Sequence, residues 1–301
     1  MFVNGIRNNY NVDVLKPDIS LHSGVPKEFY AMKDRIFGDW EIPPWELFIF
    51  KDRIIGEGSF SKVYLAKWRE TFVVAKVLDP EFINEKKEIV MREFDIMTKL
   101  HHPNIVQFLG YINDPFIIVL EYIPNQDLMS NIHTLTKKQK INITKDILRG
   151  LIYIHNRKPN NLIHRDIKPT NILLTNSKVA KISDFGLSKF YTLKMVPSNN
   201  DLANMCNRDN YLELTNYVGT ERYMAPEILQ CKEYDYTSDI YSCGILLYEL
   251  FENKRYIPTE KMKWYWCPKK LRDIIKNNML CYDKNKRYNA TQLIQMINNI
   301  Y

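Results

Sequence analysis

The chain has 301 residues, 45% of them hydrophobic and 26% charged, with a formal net charge of +7. That is ordinary globular composition, long enough for one large domain in two lobes or two domains sharing a cleft. The basic residues are dispersed rather than gathered in one run, so the charge suits an anion-attracting cleft and predicts no nucleic-acid partner. No apolar run approaches spanning length, and no membrane partner is expected. Cys206, Cys231, Cys243, Cys267 and Cys281 make an odd count without a CxxC pair. Neither a disulfide framework nor a zinc site follows, and reduced thiols suit an intracellular protein. The first residues read as neither a signal peptide nor a myristoylation site, so a soluble, cytoplasmic protein is expected.

Residues 1–47 hold turn formers, with Pro26, Pro43 and Pro44, and show no clear periodicity. They read as an N-terminal extension packing on the first lobe, with Trp40 and Trp45 as packing anchors. Strand signals begin near Phe48. Phe48–Phe50 and Arg53–Ile55 run into Gly56, and Val63–Ala66 follows, a hairpin around a glycine loop. Thr71–Val77 is the next strand. Residues 85–100 read as a helix from the spacing of Ile89, Ile96, Met97 and Leu100. Ile105–Phe108 and Phe116–Leu120 complete the strands. From Leu128 the pattern turns helical, over Lys140–His155, Ser238–Glu252, Leu271–Met279 and Thr291–Ile300, with short apolar pieces at 162–163, 172–174 and 180–182. Strands first and helices second predict a two-lobed α+β fold. A small β-rich N-lobe with one main helix spans about residues 48–122. A larger, mostly helical C-lobe spans about 123–301, with a cleft between the two.

The chemistry gathers at His164-Arg165-Asp166-Ile167-Lys168-Pro169-Thr170-Asn171, followed by Asp184-Phe185-Gly186. Asp166 can accept a proton from a hydroxyl, and Lys168 can hold negative charge two residues away. Asn171 and Asp184 offer the hard oxygen ligands that Mg²⁺ prefers. Upstream, Gly56-Glu57-Gly58-Ser59-Phe60-Ser61-Lys62-Val63 lets backbone amides approach phosphates closely. It is not a Walker loop, since no Gly-Lys-Ser/Thr follows. Lys76, in Val74-Ala75-Lys76, is a charge in an apolar strand, which needs a partner or an exit to water.

In this order these segments resemble the catalytic core of eukaryotic-type protein kinases of the serine/threonine class, with a lead-in that leans towards the tyrosine-kinase-like branch. The resemblance covers roughly residues 50–300. It departs at Ser61, which stands where the family's glycine loop has its third glycine. It implies ATP and Mg²⁺ as cofactors and protein substrates as partners. The nucleotide would be held by Ile55, Gly56, Glu57, Gly58, Ser59, Phe60 and Val63 of the loop and by Ala75 and Lys76 of the strand. Glu93 would pair with Lys76 in preference to Glu88. Leu120, Glu121 and Ile123 form the hinge that would bond adenine, and Asp184 with Asn171 would hold the metal. Asp166 would be the catalytic base, assisted by Lys168 and Asn171. Met97, Phe108, His164 and Phe185 match a stack of side chains linking the lobes.

Further on, Gly219–Glu227 resembles the end of the activation segment, with Thr220 expected against Asp166 and Lys168 and Glu227 expected to pair with Arg287. Asp239 matches an aspartate that supports the catalytic loop from beneath. The stretch around 192–216 reads as an insertion, and phosphate on Thr215, or on Ser198 or Tyr217, would dock on Arg165. Lys168 implies Ser/Thr acceptors. A dual-specificity or tyrosine kinase, and a pseudokinase scaffold, stay open as alternatives.

Overall fold

A computed structural model describes residues 40–58, 61–85, 94–158, 161–185, 189–191 and 221–301. Ser59, Phe60, Glu88, Glu93, Gly186, Ser198, Thr215, Tyr217 and Thr220 lie outside the described residues. The chain divides into two compact units. One holds the described residues up to Thr98 with Gln107–Tyr122, the other Lys99–Val106 with Ile123–Tyr301.

In the first unit, β1 (Leu47–Gly58), β2 (Ser61–Trp68), β3 (Thr71–Leu78), β4 (Phe108–Ile112) and β5 (Ile117–Glu121) form an antiparallel sheet of order β1-β2-β3-β5-β4. Side chains alternate across a pleated strand, so every second residue can reach one core. Leu47, Ile49, Val73, Ala75, Ile117 and Val119 are buried together, joined by Ile42, Ala66 and Ile112. The two strand pieces expected at 48–50 and 53–55 are one strand with shifts in register on either side of Ile54. Helix α1 covers Pro80–Glu85, and residues 94–98 are helical with Ile96 and Met97 turned inward.

The end of the N-terminal extension joins this sheet. Glu41 bridges Tyr111 in parallel, Ile42 N–H donates to the Tyr111 carbonyl at 2.7 Å, and Tyr111 N–H donates to the Trp40 carbonyl at 2.9 Å. The Trp40 ring packs 5.5 Å from that of Phe108. Such close approach needs a glycine. A Cβ on Gly110 would come within 2.7 Å of both the Ile42 side chain and the Trp40 carbonyl. Gly110→Ala is therefore expected to destabilise the fold by about 1–3 kcal/mol through overpacking. An unchanged urea midpoint would refute this seat for residues 40–42.

The strand expected at Ile105–Phe108 begins only at Phe108. Val106 N–H donates to the Ile182 carbonyl and Ile182 N–H to the Asn104 carbonyl, both at 2.9 Å. Ile105 and Val106 thus satisfy their backbone in the second unit, and the sheet strand takes the later residues instead.

The second unit is mainly helical: α2 (Leu128–Asn131), α3 (Lys137–His155), α4 (Pro226–Leu229), α5 (Thr237–Glu252), α6 (Lys269–Ile274) and α7 (Ala290–Asn298). Helix α3 starts three residues before the expected Lys140, because Thr136 and Gln139 form a reciprocal capping box. Helix α5 is buried on nearly every side, its carboxylates Asp239, Glu249 and Glu252 included. The helix expected over Leu271–Met279 is α6 continued by a π turn at Ile275–Met279. Two small ribbons frame the loop at residues 164–171: β6 (Asn161–Ile163) with β9 (Lys189–Tyr191), and β7 (Ile172–Leu174) with β8 (Ala180–Ile182).

Glu227 and Arg287, separated by 60 residues, form the expected pair, bidentate at 2.5 and 2.7 Å and buried. The four described cysteines are free, and burial raises the thiols of Cys243 and Cys267 to about 12, which keeps them protonated and inert. Among the described residues no helix is long and apolar enough to cross a membrane.

Candidate active site

The loop between β6 and β7 is hung from a single buried carboxylate. Asp239, in the first turn of α5, accepts the backbone N–H of His164 at 2.9 Å and of Arg165 at 2.8 Å. His155, the last residue of α3, places Nε2 2.8 Å from the same carboxylate. Asp239 is fully buried, which by itself would raise its pKa. The bonds from His155 and from the His164 backbone outweigh that, and the carboxyl sits below its ordinary value. Arg165 accordingly adopts a left-handed backbone with φ +70°. A non-glycine residue bears that strain only where its surroundings over-determine it.

His164 ties this loop to the next one. Asp166 N–H donates to His164 Nδ1 at 3.3 Å, so the ring proton is on Nε2, which donates to the Ser183 carbonyl at 3.0 Å. The Phe185 ring meets His164 edge-on at 4.8 Å. Ser183 N–H and hydroxyl both donate to the Asn171 carbonyl, at 2.9 and 3.0 Å. These bonds extend the β7–β8 ladder by one pair, so Asp184 follows the residue paired with Asn171. Asp184 is exposed and, like Arg165, left-handed, with φ +62°.

Asp166 itself is buried, and its two oxygens differ. Oδ2 accepts from Lys168 Nζ at 2.8 Å and from Asn171 Nδ2 at 2.8 Å, while Asn171 Nδ2 also reaches the Asp166 carbonyl at 2.9 Å. Oδ1 is buried with no hydrogen-bond partner among the described residues. One oxygen is thus held by two donors and the other keeps lone pairs for an incoming proton. The Asn171 amide spends its N–H donors on Asp166, leaving its oxygen as the ligand-type atom. That oxygen with the Asp184 carboxylate is a sparse, hard donor set. It fits Mg²⁺, which usually takes one or two protein ligands and completes its shell with water and phosphate.

In the first unit, Gly56 pairs with Val63, Glu57 with Lys62 and Gly58 with Ser61 across β1 and β2. The Glu57 carboxylate lies 3.3 Å from Lys62 Nζ, an exposed pair of small energetic weight. A Cβ at Gly56 or Gly58 would meet only ordinary contacts, at 3.5 and 3.4 Å, so the described hairpin does not itself require glycine there. Ile55 is exposed. Ala75 is buried, paired with Tyr64 and Val119, while Lys76 is half-buried, opposite Val63 and Ile118. Leu120 and Glu121 end β5. Glu121 exchanges bonds with Gln107, accepting its N–H on Oε1 at 2.7 Å and donating its own N–H to the Gln107 carbonyl at 3.0 Å. Ile123 is buried in the second unit.

Residues 50–297 match the protein kinase domain model. The chain belongs to the protein kinase family. Its five-stranded antiparallel sheet and its helical unit fit the two-lobed kinase fold. Among its relatives, the serine/threonine-protein kinase VIK of Arabidopsis thaliana is 38% identical over 225 residues, covering 72% of this chain and 48% of that protein. Integrin-linked protein kinase 1 of the same plant is 31% identical over 254 residues, covering 81% and 50%. Its serine/threonine-protein kinase CTR1 is 34% identical over 221 residues, covering 70% and 25%. This kinase chain therefore spans about half, or less, of the length of these relatives.

Three contributors to the kinase loop carried no signal in the sequence. His155 lies 84 residues from its partner Asp239 at the end of an ordinary amphipathic helix. Ser183 acts mainly through its backbone. The Tyr234 hydroxyl accepts from Arg165 Nη1 at 3.2 Å, an arrangement that no local spacing announces.

Proposed function

We propose that the chain transfers the γ-phosphoryl group of ATP to serine and threonine hydroxyls on protein substrates. The observation that carries this reading is the asymmetric Asp166 carboxylate, one oxygen held by Lys168 and Asn171 and the other open, in a protein kinase family member. Phosphoryl transfer asks for positioning and charge neutralisation more than covalent chemistry. Asp166 orients the acceptor hydroxyl and takes its proton on Oδ1. Lys168 keeps the carboxylate in its rotamer and adds positive charge beside the transferred group. Lys76 and the amides of residues 56–60 orient the triphosphate, with Glu93 as the partner of Lys76. Ile55, Val63, Ala75 and Leu120 supply apolar cover for adenine, and the backbone of Glu121 and Ile123 bonds its edge. Asn171 and Asp184 would hold Mg²⁺, which neutralises phosphate charge when bound.

In this reading residues 1–47 are an extension and 48–301 the kinase domain, acting in the cytoplasm. The serine/threonine names of the relatives VIK and CTR1 support the acceptor class. The test incubates the purified chain with labelled ATP, Mg²⁺ and a generic protein substrate. Phosphoserine and phosphothreonine are expected on hydrolysis of the product. Phosphotyrosine alone would overturn the acceptor class, and ATP binding without transfer would favour a scaffold.

A further inference from the structure

Away from the kinase loop, the most exposed large apolar side chains among the described residues are Trp266 and Tyr265, at 74% and 73% exposure. They are neighbours on the connection between α5 and α6. Their backbone is clamped. Glu252, the buried last residue of α5, accepts the N–H of Tyr265 at 2.8 Å, of Trp266 at 3.2 Å and of Cys267 at 2.9 Å. Just before them, Trp264 packs edge-on against Tyr248 at 4.9 Å, and the Tyr248 hydroxyl donates to the Lys263 carbonyl at 3.3 Å. So the fold spends a buried carboxylate to fix a loop whose two aromatic side chains point into water.

The same stretch is basic. Residues 254–270 hold Lys254, Arg255, Lys261, Lys263, Lys269 and Lys270, all exposed, against Glu260 alone, which lies 3.4 Å from Lys254. Positive charge flanks the aromatic pair on both sides in sequence.

We propose that this loop is a peripheral docking tip for an anionic lipid surface. Indole and phenol rings settle at the headgroup level of a bilayer, and lysines around them gain from its negative surface potential. Charge complementarity selects an acidic partner, and exposure selects its shape. A side chain with three-quarters of its surface open lines no groove, so a bound peptide or a stacked nucleic-acid strand would find no walls here. A flat, deformable surface needs none. The expectation of no membrane partner came from the lack of a spanning segment, and surface docking does not require one.

The test is co-sedimentation of the full chain, without ATP, with vesicles of phosphatidylcholine containing about a third phosphatidylserine. Binding is expected to these and not to pure phosphatidylcholine, and to weaken as salt rises. The double variant Tyr265→Ala/Trp266→Ala should lower partitioning roughly tenfold or more. Lys261→Glu/Lys263→Glu should lower it further and flatten the salt dependence. All four positions are exposed, and an unchanged melting temperature checks that each variant is folded. Failure to bind anionic vesicles at low salt would overturn the proposal. So would binding that the aromatic variant leaves unchanged, or retention of polyglutamate or single-stranded DNA in place of vesicles. Because no ATP is present, these outcomes are independent of the phosphoryl-transfer assay.

Discussion

Asp166→Asn is expected to lower kcat for phosphoryl transfer about a thousandfold, within the usual range for removing a general base, while leaving fold and ATP affinity intact. The reason lies in the two oxygens of Asp166. Lys168 Nζ and Asn171 Nδ2 both donate to Oδ2, so an asparagine there must turn its amide oxygen towards them. Its NH₂ then occupies the Oδ1 position. A lone pair becomes a donor at the Asp166 oxygen that has no partner among the described residues. The substitution is isosteric, so melting temperature and nucleotide binding should change little. Labelled transfer in single turnover separates the chemical step from product release. Activity within tenfold of the parent chain would mean that Asp166 orients the loop and takes no proton.

Asp239→Ala should have the largest effect on stability. It removes the acceptor of two buried backbone N–H groups, those of His164 and Arg165, and the partner of a buried His155. Breaking a buried charged network by removing one member costs about 3–5 kcal/mol. Activity should fall with it, because His164, Arg165 and Asp166 are consecutive and their backbone loses its anchor. Urea unfolding measures the first effect and transfer at saturating ATP the second. A loss below about 1 kcal/mol would show that the loop holds itself.

The same residue sets an acid limit. The folded Asp239 carboxyl lies below its ordinary value of 3.8, so its contribution to stability is present above pH 3.8. It is lost as pH falls from there through the folded pKa, since the unfolded chain then binds the proton more readily. Asp239→Asn should remove that part of the acid dependence and leave the remainder. An unchanged slope in the variant would assign the acid sensitivity to other groups.

Much of this was legible from local spacing, because period-2 and period-3.6 burial are short-range properties. Val73 and Ala75 alternate inward as their strand pattern predicts, and α5 covers the run expected to be helical at Ser238–Glu252. The nearness of Asp166, Lys168 and Asn171 follows from an eight-residue motif. Start positions were less legible where a polar cap decides them, as Thr136 and Gln139 do for α3. The run at 105–108 reads as one strand, yet only Phe108 enters β4, since hydrophobicity marks burial without naming the neighbour that buries it.

By itself the sequence determined the element types, the order of the motifs and the residues that could carry phosphoryl transfer, all encoded within a few positions of one another. Only the tertiary structure decided which Asp166 oxygen is held and which is open. It also decided that His155 and Ser183 complete the loop, that Ile105 turns to the second unit, and that Tyr265 and Trp266 face outward. His155 meets Asp239 and Ile105 bridges Ile182 across tens of residues, and even the nearby Lys168 and Asn171 settle on one Asp166 oxygen only in the folded loop. No local pattern records these outcomes.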